Sequence, residues 1–82
     1  MPKLKRPPDR YEGLKEKLRG RMAARDMTLA DLGVRMGRSD PTVRSRLRHP
    51  ETITLGELRT MFAALDIQLE EGLETLRPIL RR

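Results

Sequence analysis

The sequence predicts an all-α fold, a compact bundle of about five helices. Apolar residues recur at helical spacing along the chain, and no segment alternates with the two-residue period of a strand. Two threonines each stand just before an apolar stretch and three residues before an acidic side chain, a pattern that marks helix N-termini. Only two residues are aromatic, so Leu, Ile, Val and Met must build the core.

The first predicted helix covers about residues 11–25 and the second about residues 29–36. Apolar side chains recur on one face of each helix every three or four residues. They are Leu14, Leu18 and Met22 in the first helix, and Leu29, Leu32 and Met36 in the second. Thr28 is the predicted N-cap of the second helix, with Asp31 as its capping-box partner. Gly37 ends that helix, because glycine accepts a left-handed backbone without a Cβ clash.

The third predicted helix begins at Pro41, with Ser39 or Asp40 as its N-cap. It stops at His49, because the residue before a proline avoids the helical conformation. Val43 and Leu47 are expected to point inward, and Arg44, Ser45 and Arg48 to point outward.

Two further helices complete the predicted bundle. Thr54 caps the fourth, Glu57 completes a second capping box, and Asp66 closes the helix. Its predicted buried face consists of Leu55, Leu58, Phe62 and Leu65, flanked by Met61 and Ile67. The fifth covers about residues 69–76, and Pro78 marks its end or a kink. It carries Leu69, Leu73 and Leu76 on one face and Glu70, Glu71 and Glu74 on the other.

Residues 1–10 are predicted to form a flexible basic arm, and residues 11–82 the folded domain. The arm contains Pro7-Pro8, which disfavours a helix. It lacks the apolar stretch of a signal peptide, and we expect a cytoplasmic protein. Its basic side chains, Lys3, Lys5 and Arg6, suit contact with a polyanion, although a solvated tail would have the same composition.

Charge is unevenly distributed along the 82 residues, whose net charge is +6. Residues 1–50 carry 14 basic side chains against six acidic ones, whereas residues 51–76 carry one against six. This asymmetry favours a basic face turned toward a polyanion, although an ordinary solvated surface is the alternative.

The composition also excludes several classes of site. Cysteine is absent, which rules out disulfides and thiolate metal sites. The single His49 is too little for the usual zinc sites, and Glu70, Glu71 and Glu74 fit a solvated helix face better than a metal cluster. No apolar run approaches the roughly 20 residues of a membrane span. Because no catalytic motif is visible either, we expect neither enzyme activity nor a metal, a cofactor or a membrane.

The most informative stretch of the sequence is TLADLGVRMGRSDPTVRSRLRHP, residues 28–50. It predicts a helix-turn-helix over about residues 28–48, with Gly37 at the turn. Two helices that cross steeply over a tight turn need a small residue at their closest approach, and Gly33 supplies it. The cationic outer side of the second motif helix suits a major groove, which admits one α-helix.

The chain resembles the lambda-repressor/Cro-like helix-turn-helix family over about residues 14–73. The resemblance rests on Leu32, Gly33, Met36, Gly37, Ser39, Thr42 and Val43, and on Leu55, Leu58, Phe62, Leu65 and Ile67 downstream. It implies a sequence-specific regulator of the phage-repressor type that binds double-stranded DNA as a homodimer, with residues 41–48 as recognition helix. The DNA-facing residues that it implies are Arg38, Ser39, Asp40, Thr42, Arg44, Ser45 and Arg48.

Several roles within this implied set have alternatives. Arg44 and Arg48 are one helical turn apart, and each can contact either a guanine or a phosphate. Arg38 at the turn is a phosphate candidate. Asp40 either caps the helix or accepts a hydrogen bond from a cytosine amino group.

The chain departs from the family pattern at two positions. Leu29 stands where the family often has a glutamine that contacts a phosphate, and Arg46 stands where it often has an apolar residue. We expect Leu47 to take over that packing, and Arg46 to lie sideways, near solvent or backbone.

The C-terminal segment predicts self-association. The apolar residues that the core does not obviously need are Leu76, Ile79 and Leu80, with Arg77, Arg81 and Arg82 at their edge. These arginines can pair with the acids of residues 70–74 in a second copy; the alternative is a monomer that uses all the leucines in its core. A second functional hypothesis is a protein-interaction module, such as a phage inhibitor or antitoxin, and a third is a non-specific nucleic-acid packer.

Overall fold

Residues 9–81 are described by the computed structural model, and they form five α-helices and one short 3-10 helix without any strand. The α-helices are α1 (Glu12–Ala24), α2 (Leu29–Met36), α3 (Asp40–Arg48), α4 (Leu55–Ala64) and α5 (Leu69–Leu80). The 3-10 helix, Pro50–Thr52, joins α3 to α4. This confirms the predicted all-α class. The arm residues Lys3, Lys5 and Arg6, and Arg82 at the other end, lie outside the described residues.

Both predicted capping boxes are present. Thr28 Oγ1 accepts the Asp31 N–H at 3.1 Å, and the Asp31 carboxylate accepts the Thr28 N–H at 2.9 Å. Thr54 and Glu57 repeat the arrangement at the start of α4, with distances of 3.0 and 2.9 Å. Each box satisfies two N–H groups that the first turn of a helix otherwise leaves without partners.

Helices α1 and α4 are terminated in the same way, by an aspartate with a left-handed backbone two residues after the last helical residue. Asp26 and Asp66 both have φ of 53°. The N–H group of the next residue then reaches back to close the helix, from Met27 to the Met22 carbonyl at 2.8 Å and from Ile67 to the Phe62 carbonyl at 2.9 Å. The predicted closure of the fourth helix at Asp66 is therefore confirmed.

One apolar cluster forms the core, and every α-helix contributes to it directly or through a neighbour. Helix α1 packs against α3 and α5, and α2 packs against α3 and α4. The fully buried side chains are Leu18, Leu32, Val43, Met61 and Leu65. The inward orientation predicted for Val43 and Leu47 is confirmed, since both are buried.

The predicted buried face of α4 is confirmed at Leu65 and at the flanking Met61 and Ile67, and it was wrong at Leu55. Leu55 is 86% exposed, and Phe62 is only partly buried, whereas Met61 and Ala64 are buried together with the charged Glu57. Residues 57, 61 and 64 share one face of a helix, and residue 55 lies on the opposite side. On this inward face the Glu57 carboxylate pairs with Arg38 and Arg46.

Helix α5 is one turn longer than predicted. Pro78 lies inside it, and the helix continues to Leu80, closed by the bond from the Arg81 N–H to the Arg77 carbonyl at 3.0 Å. Proline costs a helix one backbone hydrogen bond, but here this loss falls in the last turn. The residues of α5 that are buried are Gly72, against which the Phe62 ring packs, and Thr75, whose hydroxyl donates to the Gly72 carbonyl at 2.7 Å.

The surface of α5 also differs from expectation. The exposed apolar patch predicted at Leu76, Ile79 and Leu80 was wrong for two of its residues, because Leu76 and Ile79 pack against the core. The exposed leucines of α5 are Leu69, Leu73 and Leu80. On the acidic side, Glu71 is not simply solvated, since it pairs with Arg21 of α1 and holds the two helices together.

Candidate nucleic-acid interface

The turn between α2 and α3 is closed by backbone hydrogen bonds around Gly37. Gly37 has φ of 66° and ψ of 36°, the left-handed conformation that glycine adopts without a Cβ clash. The N–H of Arg38 donates to the Gly33 carbonyl at 2.9 Å, and the N–H of Gly37 donates to the Val34 carbonyl at 3.3 Å. This is the Schellman arrangement, and it confirms the predicted role of Gly37.

Gly33 lies at the closest approach of α2 to the turn and α3. A Cβ atom on Gly33 would stand 2.7 Å from the Arg38 carbonyl oxygen and 3.4 Å from Val43 Cγ2. The first distance is well inside van der Waals contact with a backbone atom. The prediction that Gly33 is the small residue at this crossing is therefore confirmed, and a larger residue there would change how α3 packs against α2.

Helix α3 presents a polar, cationic side to solvent. Arg44, Ser45 and Arg48 are exposed, as predicted, because the side of α3 that carries Val43 and Leu47 is buried. Their contact with DNA stays a prediction.

The start of α3 differs slightly from expectation. Ser39 is the N-cap, and Asp40, the other candidate, is the first helical residue, one position before the predicted start at Pro41. The Ser39 hydroxyl bonds to the Thr42 hydroxyl at 3.0 Å instead of capping a backbone N–H group. Ser39, Asp40 and Thr42 thus lie together where α3 begins, beside the half-exposed Arg38.

Glu57 connects the helix-turn-helix to α4. Its Oε2 accepts a hydrogen bond from Arg38 Nε, and its Oε1 accepts one from Arg46 Nε, both at 3.0 Å. The same Oε1 accepts the Thr54 N–H of the capping box at 2.9 Å. The Glu57 side chain is 5% exposed, so one buried side chain connects the turn, α3 and the start of α4.

The environment of Glu57 strongly favours its ionised form. Burial by itself raises the pKa of this carboxyl, but the hydrogen bond from the Thr54 N–H and those from Arg38 and Arg46 outweigh it and lower the pKa to about 2. Glu57 therefore stays charged throughout the neutral and mildly acidic range.

Arg46 has a partner that its expected sideways position did not include. Its side chain is 26% exposed, and its Nε donates to Glu57 Oε1. A charged residue replaces an apolar one at this place because the carboxylate of Glu57 is there to pair with it. Leu47 is buried beside it, so the packing role expected of Leu47 is confirmed.

Arg38 contacts Glu57 through Nε alone, and its side chain is 50% exposed. Its two terminal amino groups therefore remain available at the turn. The sequence did not show that Glu57 binds Arg38, because the capping box was already a sufficient reason for a glutamate at position 57.

Arg19 is a second residue that sequence reasoning missed. It extends from α1 and lines the same cleft as Arg44 and Arg48 of α3. The only sequence signal was the general abundance of arginine in the first half of the chain.

Residues 17–75 match the family model of the Cro/C1-type helix-turn-helix (HTH) DNA-binding domain. The chain belongs to this family. The match spans α2, α3 and α4 entirely and reaches into α1 and α5, so it agrees with the resemblance predicted from the sequence. No curated protein and no solved structure was found to match the chain. Among the helices of residues 9–81, none is long and apolar enough to cross a membrane.

Proposed function

We propose that this Cro/C1-type chain is a cytoplasmic, sequence-specific transcription regulator of the phage-repressor type, which acts by binding DNA and catalyses nothing. The observation that carries the proposal is the exposed cationic side of α3, supported from behind by buried residues and by the Glu57 ion pairs. The major groove is about 12 Å wide and admits one α-helix, so this side of α3 can meet base edges.

The outward residues of α3 are proposed to contact different bases. Arg44 lies midway along α3 and is the proposed bidentate contact to a guanine, worth about 1–3 kcal/mol of discrimination. Ser45 lies beside it, and Asp40, which is not the N-cap, is the proposed acceptor for a cytosine amino group.

Residues before and at the start of α3 would hold the DNA backbone. The terminal amino groups of Arg38 and the paired hydroxyls of Ser39 and Thr42 are proposed phosphate contacts. The basic residues of the arm, Lys3, Lys5 and Arg6, are proposed to follow the backbone or enter the minor groove. Such contacts orient the protein on the duplex and carry no sequence information themselves.

We also propose that two copies pair through α5, antiparallel, on DNA. The exposed leucines of α5, Leu69, Leu73 and Leu80, lie along one side of the helix and form an apolar seam there. Leu69 and Leu80 are 70% and 76% exposed. Two antiparallel copies would bring Leu69 against the partner's Leu80, and would place the acidic half of each α5 beside the basic half of the other.

Charge substitution on α5 tests this pairing. Leu80→Glu should turn the dimer into a monomer in sedimentation with a selected duplex, because it places a charge in an apolar seam. Val34→Glu, on an equally exposed residue of α2, is the matched control and should leave the dimer intact. A dimer that survives Leu80→Glu would exclude the seam.

An apolar groove supports a second candidate function, that of a protein-interaction module. It has a volume of about 240 Å³ and lies between the start of α1, the 3-10 helix, the start of α4 and the end of α5. Its lining includes Tyr11, Pro50, Ile53, Leu58 and Ile79, with the exposed Leu55 at its edge. Such a groove would accept an apolar side chain of a partner protein.

Selection of bound sites from random duplex DNA decides between the two functions. A regulator should select a defined inverted repeat, with half-sites about one helical turn apart. Arg44→Ala should then relax one base position and weaken specific binding by about 1–3 kcal/mol. Selection of no site, together with a stoichiometric protein partner in purified preparations, would instead favour the interaction module.

A further inference from the structure

A cleft lies between α1 and α3, beside the proposed DNA-reading side. Its rim carries Arg19, Arg44 and Arg48, and its floor consists of Met22, Leu29 and Leu47. The volume is about 270 Å³.

The three arginines make this cleft strongly attractive to an anion. None of them forms an ion pair with a carboxylate of residues 9–81. Arg44 and Arg48 stand one turn apart on α3, a spacing at which like charges destabilise a helix. A phosphate bound between Arg19 and Arg48 would offset part of this positive charge, and guanidinium is well suited to phosphate because it can bind two oxygens at once.

The geometry points to a phosphodiester of the DNA backbone as the occupant of this cleft, bound between Arg19 and Arg48 with its deoxyribose over the apolar floor. The inference rests on the proposed function. It assigns Arg19, on a helix outside the HTH motif, to the DNA interface, and it assigns Arg48 to the backbone while Arg44 reads a base.

The positions of the arginines explain this division. In an HTH protein the N-terminal part of the recognition helix contacts base edges, and Arg48 is the last residue of α3. Arg19 extends from α1, which lies outside the two motif helices and so reaches the flanking strand. Leu29 in the floor of the same cleft offers no side-chain polar atom, so the charge of the cleft comes from the arginines, Arg19 among them.

The salt dependence of DNA binding tests the inference. The slope of log K against log salt concentration changes by about 0.9 for each phosphate that a protein neutralises. Arg19→Ala should therefore flatten the slope by about 0.9, which corresponds to about eightfold weaker binding at 0.1 M salt if the variants converge at 1 M. The loss should be equal on the selected site and on a random duplex, because a backbone contact reads no sequence. Arg19→Lys should keep the parent slope.

Arg59→Ala is the charge-matched control. Arg59 is exposed on α4, two residues after Glu57 and therefore on roughly the opposite side of that helix from the motif. Its removal should leave the slope unchanged. Equal losses for Arg19→Ala and Arg59→Ala would overturn the inference, because they would reflect net charge alone.

The same series separates this inference from the proposed function. If Arg19→Ala keeps the parent slope while Arg44→Ala relaxes a base position, the cleft is not a backbone site and the regulator stands. If the parent chain selects no site, the proposed function fails and the inference fails with it. A shift of the Arg19 Nε–H resonance on addition of a random duplex, in the parent chain, is the expected direct sign of contact.

Discussion

Glu57 offers the sharpest test of how α3 is held against the rest of the fold. The pKa of its carboxyl is about 2 in the folded chain against an ordinary value of 4.5. Because the folded-state pKa is the lower one, the charged form stabilises the fold at every pH above about 4.5. That stability is lost as the pH falls from about 4.5 to about 2. At about 1.4 kcal/mol per pKa unit, the difference amounts to about 3 kcal/mol.

We expect Glu57→Gln to lower the free energy of unfolding at pH 7 by about 2–3 kcal/mol, less than the full amount because Arg38 is half exposed. Glutamine can still accept the Thr54 N–H, so the capping box remains and the loss reports the ion pairs. A chain of this size is stable by roughly 4–12 kcal/mol, so the effect is large. It corresponds to a fall in Tm of about 10–20 °C.

The assay is urea unfolding followed by circular dichroism at a series of pH values from 7 to 2. The difference between parent and Glu57→Gln should shrink below pH 4.5 and vanish near pH 2, because the parent carboxyl then becomes neutral as well. Glu70→Gln, at an exposed position of α5, is the control and should follow the parent at every pH. A parent–variant difference that stays constant from pH 7 to pH 2 would refute the assignment of the ion pairs.

Three backbone predictions follow from the turn and the helix ends. Gly33→Ala should lower the free energy of unfolding by about 1–3 kcal/mol, because the new Cβ meets the Arg38 carbonyl oxygen. Gly20→Ala is the control, and it should raise the free energy of unfolding by about 0.5–1 kcal/mol because residue 20 faces open space on α1. Urea unfolding that gives both changes the same sign would contradict this. Gly37→Val should lower the Tm by more than an ordinary surface change, because a β-branched residue resists a φ of 66°, and an unchanged thermal melt would disprove that. Asp26→Gly should raise the stability by about 0.5–1 kcal/mol by relieving the left-handed backbone, and a lower Tm would count against this account.

The features that the sequence predicted correctly are local. A capping box such as Thr28 with Asp31 involves residues three apart, and the Gly37 turn involves neighbours only, so residue type and spacing suffice. The sequence also predicted the role of Gly33 at the helix crossing, because a tight turn brings the two motif helices together over a few residues.

The features that it missed depend on residues far apart in the chain. Leu55 and Met61 are both apolar, so residue type alone does not show which face of α4 turns inward. The pairing of the inward Glu57 with Arg38 and Arg46 joins residues 19 and 11 positions apart. Arg19 is one of many basic residues until α1 packs against α3 and brings it to the cleft with Arg44. Charge alone favoured an anionic partner, and only tertiary packing brings these arginines together at one cleft.

Exposed leucines were misplaced for a similar reason. The sequence of α5 offers five apolar side chains, and helical spacing cannot tell which of them the core has room for. The close packing of Gly72 against Phe62 brings that side of α5 to α4, and this leaves Leu69 and Leu80 outside.

The division of α3 into an anchored side and an outward side has a consequence for how this protein can change. Val43, Arg46 and Leu47 carry the attachment of α3 to the rest of the chain, while Arg44 and Arg48 make no ion pair with residues 9–81. Substitutions at the outward positions therefore alter the surface offered to DNA at little cost in folding free energy. In the proposed function, substitutions of Arg44 and Arg48 would therefore change which DNA site is bound while the fold keeps most of its stability.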